Sequence, residues 1–268
     1  MNNFLKISIL IFSCPLTLNS ILCQINPGYD SLSHNKFTYS HGAIIRGDST
    51  KKEIALVFTG DSYADGADHI ITVLKEENVK ASFFFTGNFY RNKNFKEAIR
   101  NLKADNHYLG AHSDKHLLYS DWEKRDSTLV TKNEFIEDLL NNYKETEKFG
   151  LSSNDAKYFL PPYEWYNDTI SNWTTELGLA LINFTPGTKS NADYTTPGMG
   201  IYISSKEIYK SVLDYEGSNE NGLNGFILLI HFGTSPERED KFYYYLQDLI
   251  AELKKRNYSF SRVDELLE

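Results

Sequence analysis

Seven short runs of β-branched, aromatic and aliphatic residues, separated by amphipathic stretches, constrain this chain more than any other feature. They are Ile54–Phe58, Ala81–Phe85, His107–Ala111, Lys157–Leu160, Leu179–Phe184, Gly225–Ile230 and Tyr258–Val263. Short apolar runs of this composition read as strands buried on both faces. The gaps carry helical periodicity over Asp68–Glu77, Phe95–Ala104, Thr131–Phe149, Asp168–Leu177, Ser205–Tyr215 and Lys241–Arg256, several opened by a capping Asp, Ser or Thr. Strand and helix in regular alternation predict an α/β fold with a parallel sheet. No Gly-x-Gly-x-x-Gly follows the first strand, so a barrel or distorted barrel is expected in preference to a dinucleotide-binding sheet. No linker or internal repeat divides the chain, and one domain over residues 53–268 is expected, preceded by a polar lead-in over 24–52.

Composition narrows the partners. The 268 residues are 41% hydrophobic and 24% charged with 7 prolines, which excludes long disorder and low-complexity chains. Lys and Arg number 28 against 36 Asp and Glu, a net charge of −8 with no basic block, so nucleic acid and anionic membrane surfaces lack their usual electrostatic footing. Aromatic residues reach 14%, which suits flat sugar faces and an ordinary core equally well.

Residues 1–23 carry Lys6, then the apolar run Ile7–Phe12, and no acid until Asp30, the charge layout of an export signal. The run is too short for a membrane span. Both cysteines, Cys14 and Cys23, fall inside this segment, so an exported mature chain is expected to hold no disulfide. Ser13-Cys14 partly matches the site at which bacterial lipoproteins are acylated, which makes a lipid anchor an alternative.

In βα folds the working residues stand just past the C-terminal ends of strands. Four such ends are polar: Thr59–Gly66, His112–His116, Pro161–Tyr166 and His231–Thr234. His112 and His116 are four residues apart, which on one helical turn sets both imidazoles on one side, a spacing used to bind a metal ion. Asp61 supplies a third donor, and two imidazoles with one carboxylate leave positions open for water and substrate.

Ala55–Asp61, Ala81–Gly87, Gly110–His116, Pro161-Pro162-Tyr163 and Leu228–His231 resemble, in that order, the motifs of the NodB-homology polysaccharide deacetylases, carbohydrate esterase family 4. The resemblance runs from about Ile54 to Leu267, and the family's His-[Ser/Thr]-x-x-His pattern is met unchanged. It implies a distorted barrel of about seven or eight βα units. It also implies a divalent metal, usually zinc, on Asp61, His112 and His116, which polarises an acetyl carbonyl and activates water. The Tyr163 backbone N–H would stabilise the oxyanion, and His231 would protonate the leaving group. The implied substrate is an acetylated glycan, and the negative net charge favours neutral or amino sugars.

Two departures stand out. The family's first motif holds adjacent acids, a base followed by a metal ligand, where this chain has Thr59 and Gly60; an Arg expected before Pro161 is Leu160. Joint loss is coherent, because an Arg without its carboxylate partner would be an unpaired charge in a cleft. Glu164, where the family usually has Gly, is the preferred replacement base, with Asp65 and Asp114 as alternatives. A metal-activated water without a strong base, or a glycan-binding module without turnover, are the other readings. Tyr163, Trp165, Tyr166 and Trp122 are candidates to stack on sugar rings. The loop Phe184–Thr188 lacks the acid the family places there, and its extension to Gly200, with Asn191, Asp193 and Tyr194, is long enough to shape a cleft.

Overall fold

The structure is a computed structural model and describes residues 36–268. The export segment and both cysteines lie outside the described residues. A hairpin of β1 (Thr38–Ser40) and β2 (Ala43–Arg46) opens the fold. Its two turn residues, His41 and Gly42, both have positive φ, 45° and 77°, the backbone that lets a two-residue turn follow the strand twist. The sequence pattern predicts no strand in this lead-in.

All seven expected strands form. They are β3 (Glu53–Gly60), β4 (Ser82–Phe85), β5 (Tyr108–Ala111), β6 (Tyr158–Phe159), β7 (Ala180–Leu181), β8 (Phe226–His231) and β9 (Ser259–Ser261). The sixth and seventh are only two residues long, shorter than their apolar runs. The main helices are α1 (Ala67–Glu76), α2 (Gly87–Arg91), α3 (Lys96–Ala104), α4 (Lys132–Glu147), α5 (Asp168–Glu176), α6 (Ser205–Ser218), α7 (Leu246–Lys255) and α8 (Val263–Leu266). Short α2 and α8 are additions to the expected set, and the last long helix begins as a 3₁₀ turn over Phe242–Tyr245. Capping boxes, Thr131 with Glu134 and Ser204 with Glu207, start α4 and α6.

The strands run in the order β1-β2-β8-β3-β4-β5-β6-β7, with β9 on β3. Every pair from β8 to β7 is parallel, and among the described strands antiparallel pairing is limited to β1 with β2 and β2 with β8. The two ends of the sheet meet where Ile44 of β2 bridges Ile182 just past β7 and the Asn183 N–H donates to Ile44 O at 2.9 Å. The result is the expected distorted barrel, its seam formed by residues of the polar lead-in.

Strand alternation then fixes the site. On β3, Ile54, Leu56 and Phe58 pack outward under α1, α3, α6 and α7, whereas Ala55 and Val57 pack inward with Phe84, Phe159 and Leu229. All of these are buried, each contributing on the order of 1.5–3 kcal/mol for a large side chain. The next inward position on β3 is Thr59; on β8, after Ile227 and Leu229, it is His231. These two are register partners on the parallel ladder. No helix among the described residues is long and apolar enough to cross a membrane.

Candidate active site

At the C-terminal mouth of the barrel lies a cavity of about 540 Å³. Asp61, His112, His116, Tyr163, Glu164 and His231 all line it, joined by Thr59, Trp122, Tyr194, Met199 and Glu237. Ends of β3, β5, β6 and β8 supply the first six, so residues 170 positions apart in sequence, Asp61 and His231, face one space.

His112 and His116 come together, though not on a helical turn. They flank a loop in which Ser113 and His116 adopt left-handed backbone, φ 76° and 57°, and their ring centroids lie 5.1 Å apart. His112 Nδ1 is 2.8 Å from the Leu160 carbonyl oxygen. A carbonyl can only accept, so Nδ1 holds the proton and Nε2 keeps its lone pair. Burial, with His116 beside it, pushes His112 down to about 3. Burial likewise lowers His116, against the pull of Asp61. Both rings are neutral at pH 7. The Asn142 amide of α4 anchors the loop, its oxygen accepting from the His112 N–H at 2.8 Å and its nitrogen donating to Phe85 O at 3.2 Å.

Asp61 follows the shift in the first motif. An ideal Cβ at Gly60 would stand 3.0 Å from the Phe85 ring, itself stacked on Phe89 at 4.0 Å, so any side chain there would need these rings to give by a few tenths of an ångström; the nearest acid stands one position later, at Asp61. Asp61 accepts from Ser62 Oγ at 2.6 Å and Thr86 Oγ1 at 2.7 Å. Burial works against its charge, yet these hydroxyls, with His116 and Asn88, hold the carboxyl below its ordinary value.

On the other side of the cavity, His231 is paired. Its Nδ1 lies 2.6 Å from Asp193 Oδ1, and its backbone N–H donates to Asp193 Oδ2 at 2.9 Å. Burial alone would lower the imidazole; buried Asp193, helped by Glu164, overcomes it and raises the proton affinity above the ordinary value. Asp193 is the acid that the sequence lacks directly after β7. It arrives from further along the loop, beyond the 3₁₀ turn Ser190–Ala192. Fully buried Arg238 fixes the next stretch of this loop by donating to Thr195 O at 2.5 Å and Ile203 O at 3.0 Å.

Glu164 faces this dyad. Desolvation pushes its carboxyl up to about 7, with His231 opposing and Asp193 adding to the rise. Tyr163 and Glu164 are consecutive left-handed residues, φ 59° and 53°. Of the eight non-glycine residues with positive φ among those described, four (Ser113, His116, Tyr163 and Glu164) stand at this site. Such strain concentrates where function demands it. The turn is held by Glu164 N–H to Pro161 O and Trp165 N–H to Pro162 O, bonds that leave the Tyr163 N–H out. Thr59, at the family's base position, is buried with Oγ1 lacking any partner among the described residues.

The alternative bases are placed elsewhere. Asp65 accepts from the Thr234 N–H at 2.7 Å and Tyr243 OH at 3.0 Å and pairs with Lys241 at 2.8 Å; Asp114 pairs with Arg91 at 2.5 Å. Neither lines the cavity. Of the four candidate sugar-stacking aromatics, Tyr163 and Trp122 line it and are 45% and 55% exposed. Tyr166 is buried with its hydroxyl on Ser40 O, and Trp165 backs Trp122 at 5.4 Å between centroids.

Two neutral imidazoles, one with its Nδ1–H on a backbone carbonyl and its Nε2 lone pair free, and one ionised carboxylate are donors of the kind an open divalent-cation site uses. In chemistry the residues fit such an ion. Among the described residues, no three His, Cys, Asp or Glu side chains already converge at coordination distance, and the Asp61 oxygens are turned to Ser62 and Thr86.

Residues 46–182, 137 of the 268, match the family described as polysaccharide deacetylase. The peptidoglycan-N-acetylmuramic acid deacetylase PdaA of Bacillus subtilis is 24% identical over 234 residues, covering 87% of this chain and 78% of its own length. A chitin deacetylase of Arthroderma benhamiae is 25% identical over 232 residues, covering 86% of this chain and 56% of its own length. Among solved structures, a carbohydrate esterase family 4 pseudoenzyme from Bacillus anthracis superposes with a TM-score of 0.66 at 19% identity, over 86% of this chain and 70% of its own. Bacillus subtilis PdaA, a family 4 carbohydrate esterase, gives a TM-score of 0.63 at 23% identity over 85% of each chain.

Proposed function

The chain belongs to the polysaccharide deacetylase family, and from that premise we propose that it hydrolyses N- or O-linked acetyl groups on a glycan, using Glu164 as base and His231 as acid. The observation that carries this reading is two tuned groups lining one cavity, each within electrostatic reach of the other: a carboxyl raised to about 7 and an imidazole whose proton affinity is raised by Asp193. Groups whose environments tune them in this way suit a general base and a general acid near neutral pH.

Asp61, His112 and His116 would hold a divalent ion, zinc being favoured by two imidazoles and a carboxylate. When bound it supplies Lewis-acid polarisation of the acyl carbonyl and a more acidic water. The chain's residues do the rest. Ionised Glu164 takes a proton from the attacking water as the new C–O bond forms. The Tyr163 N–H, free of the turn's own hydrogen bonds, faces the developing oxyanion. His231, its Nδ1 held by Asp193, donates from Nε2 to the leaving nitrogen or oxygen as the acyl bond breaks, releasing acetate and an amine or hydroxyl. Trp122 and Tyr163 offer apolar faces to the sugar at the mouth. Export by residues 1–23 would deliver the protein to extracellular glycan.

A second reading, a glycan-binding module without turnover, is favoured by Thr59 and Gly60, which leave the first motif without its acid pair, and by the fold likeness to a pseudoenzyme. Acetate release from chitin oligomers, peptidoglycan fragments and acetylated xylan, with zinc-loaded wild type and His231→Ala, separates the two. Release by wild type that falls at least ~100-fold in the variant supports hydrolysis; no release from any glycan leaves the binding module.

A further inference from the structure

Asp138 on α4 lies outside every motif that pointed to this site, yet its buried carboxylate is the hub on which the histidine loop is wound. Four donors converge on it. Oδ2 accepts from Ser113 Oγ at 2.6 Å, the Asp114 N–H at 3.1 Å and Tyr119 OH at 2.6 Å, and Oδ1 accepts from the Lys115 N–H at 3.1 Å. The bonded residues span Ser113 to Tyr119 and enclose His116. Without this anchor, a loop with left-handed backbone at Ser113 and His116 has little reason to keep that shape, since each such residue is intrinsically disfavoured. The carboxylate also makes no ion pair among the described residues, and its field reaches the His116 ring. A buried acid satisfied by hydrogen bonds and without an ion pair among the described residues leaves negative potential toward the His116 imidazole, which is what a cation site uses.

We propose that Asp138 is a positioning residue for the cation site, folding the 113–119 loop so that His116 meets His112 and biasing the pair toward a divalent ion. The inference rests on the assignment of His112, His116 and Asp61 as donors, and adds the residue that builds their geometry. Asn142, one turn further along α4, does the same for His112 through its backbone N–H, so one helix face sets both imidazoles. Loss of such an outer partner characteristically weakens metal affinity about 10–100-fold.

The test is zinc affinity of the full chain, measured by competition with a chromophoric chelator, for wild type, Asp138→Asn and Tyr119→Phe, with far-UV circular dichroism and unfolding midpoints of the zinc-free proteins alongside. Asparagine keeps the shape but its NH₂ cannot accept, so one side of the hub faces unmatched donors. The expected result is zinc binding about 10–100-fold weaker in Asp138→Asn and a smaller loss, about threefold, in Tyr119→Phe, with both proteins folded. Acetate release by Asp138→Asn should return toward the wild-type rate at saturating zinc, which a general weakening of the fold would not produce. Wild-type affinity in folded Asp138→Asn overturns the proposal. If Asp138→Asn does not fold, Ser113→Ala and Tyr119→Phe, each removing one donor, decide: unchanged affinity in both overturns it. A wild-type chain that binds no zinc overturns the donor assignment itself, and this proposal with it.

Discussion

Replacing Glu164 by glycine should make the folded protein more stable while silencing the site. Two strains meet at this residue. Its backbone is left-handed, φ 53°, which for a residue with a Cβ costs about 1–2 kcal/mol; glycine removes that but returns about 0.5–1 kcal/mol through the freedom of its unfolded chain. The net backbone gain is on the order of 0.5–1 kcal/mol. Its carboxyl is raised from 4.5 to about 7, and at about 1.4 kcal/mol per unit the folded state is penalised by up to about 3.5 kcal/mol once ionised. Contact with solvent at the cavity mouth discounts this to about 1–2 kcal/mol. Because the folded-state pKa is raised, this carboxyl leaves stability at full strength below 4.5 and lowers it as pH rises through about 7. The glycine variant should therefore gain about 0.5–1 kcal/mol near pH 4 and about 1.5–3 kcal/mol near pH 8, read from urea unfolding of chelator-treated protein. Glu164→Gln keeps the strained backbone and should show only the part that grows with pH. A glycine variant less stable than wild type at both pH values would refute the backbone argument; a gain independent of pH would refute the desolvation argument.

Four further outcomes rest on the same geometry. The rate should be bell-shaped in pH, rising through about 7 as Glu164 ionises and falling at higher pH as His231 loses its proton above the ordinary imidazole value; Glu164→Gln should abolish the rising limb. Asp193→Asn should lower kcat by roughly 10²–10⁴ without unfolding the protein, and a loss under about tenfold, measured as acetate release, would contradict the dyad. Thr59→Val removes a buried hydroxyl with no partner among the described residues and should stabilise by about 1 kcal/mol in urea unfolding. Thr59→Asp places a carboxylate at a buried position where Leu160 stands in place of the family's arginine, and should destabilise by about 3 kcal/mol near pH 8 in the same assay.

The barrel was legible because its central strands are uninterrupted apolar runs, and the inward alternation on β3 and β8 leads straight to Thr59 and His231. The seam was not. Residues 38–46 mix polar side chains with few aliphatics, and the only local sign of a hairpin is the His41-Gly42 turn. Asp61, His112, His116, Tyr163, Glu164 and His231 are legible because each stands just past a strand end. The residues that hold them are not, because their contacts are distant in sequence: Asp193 reaches His231 across 38 positions, and Asp138 reaches Ser113 across 25. A one-dimensional reading also cannot tell a carboxylate that faces a cavity from one consumed by structure. Asp65 and Asp114 stand as alternatives to Glu164 as base, and their partners, Lys241 with Tyr243 and Arg91, lie 23 to 178 positions away. The four-residue spacing of the histidines signals a pair correctly through a mistaken geometry, since a loop with two left-handed residues brings the rings together where a helical turn is expected.

The most direct test of the account is to follow one acetylated oligosaccharide with zinc-loaded wild type, Glu164→Gln and His231→Ala, recording acetate release and glycan binding in the same samples. The account predicts that all three bind the glycan and that only wild type releases acetate at an appreciable rate. Binding by wild type with no acetate released would contradict it.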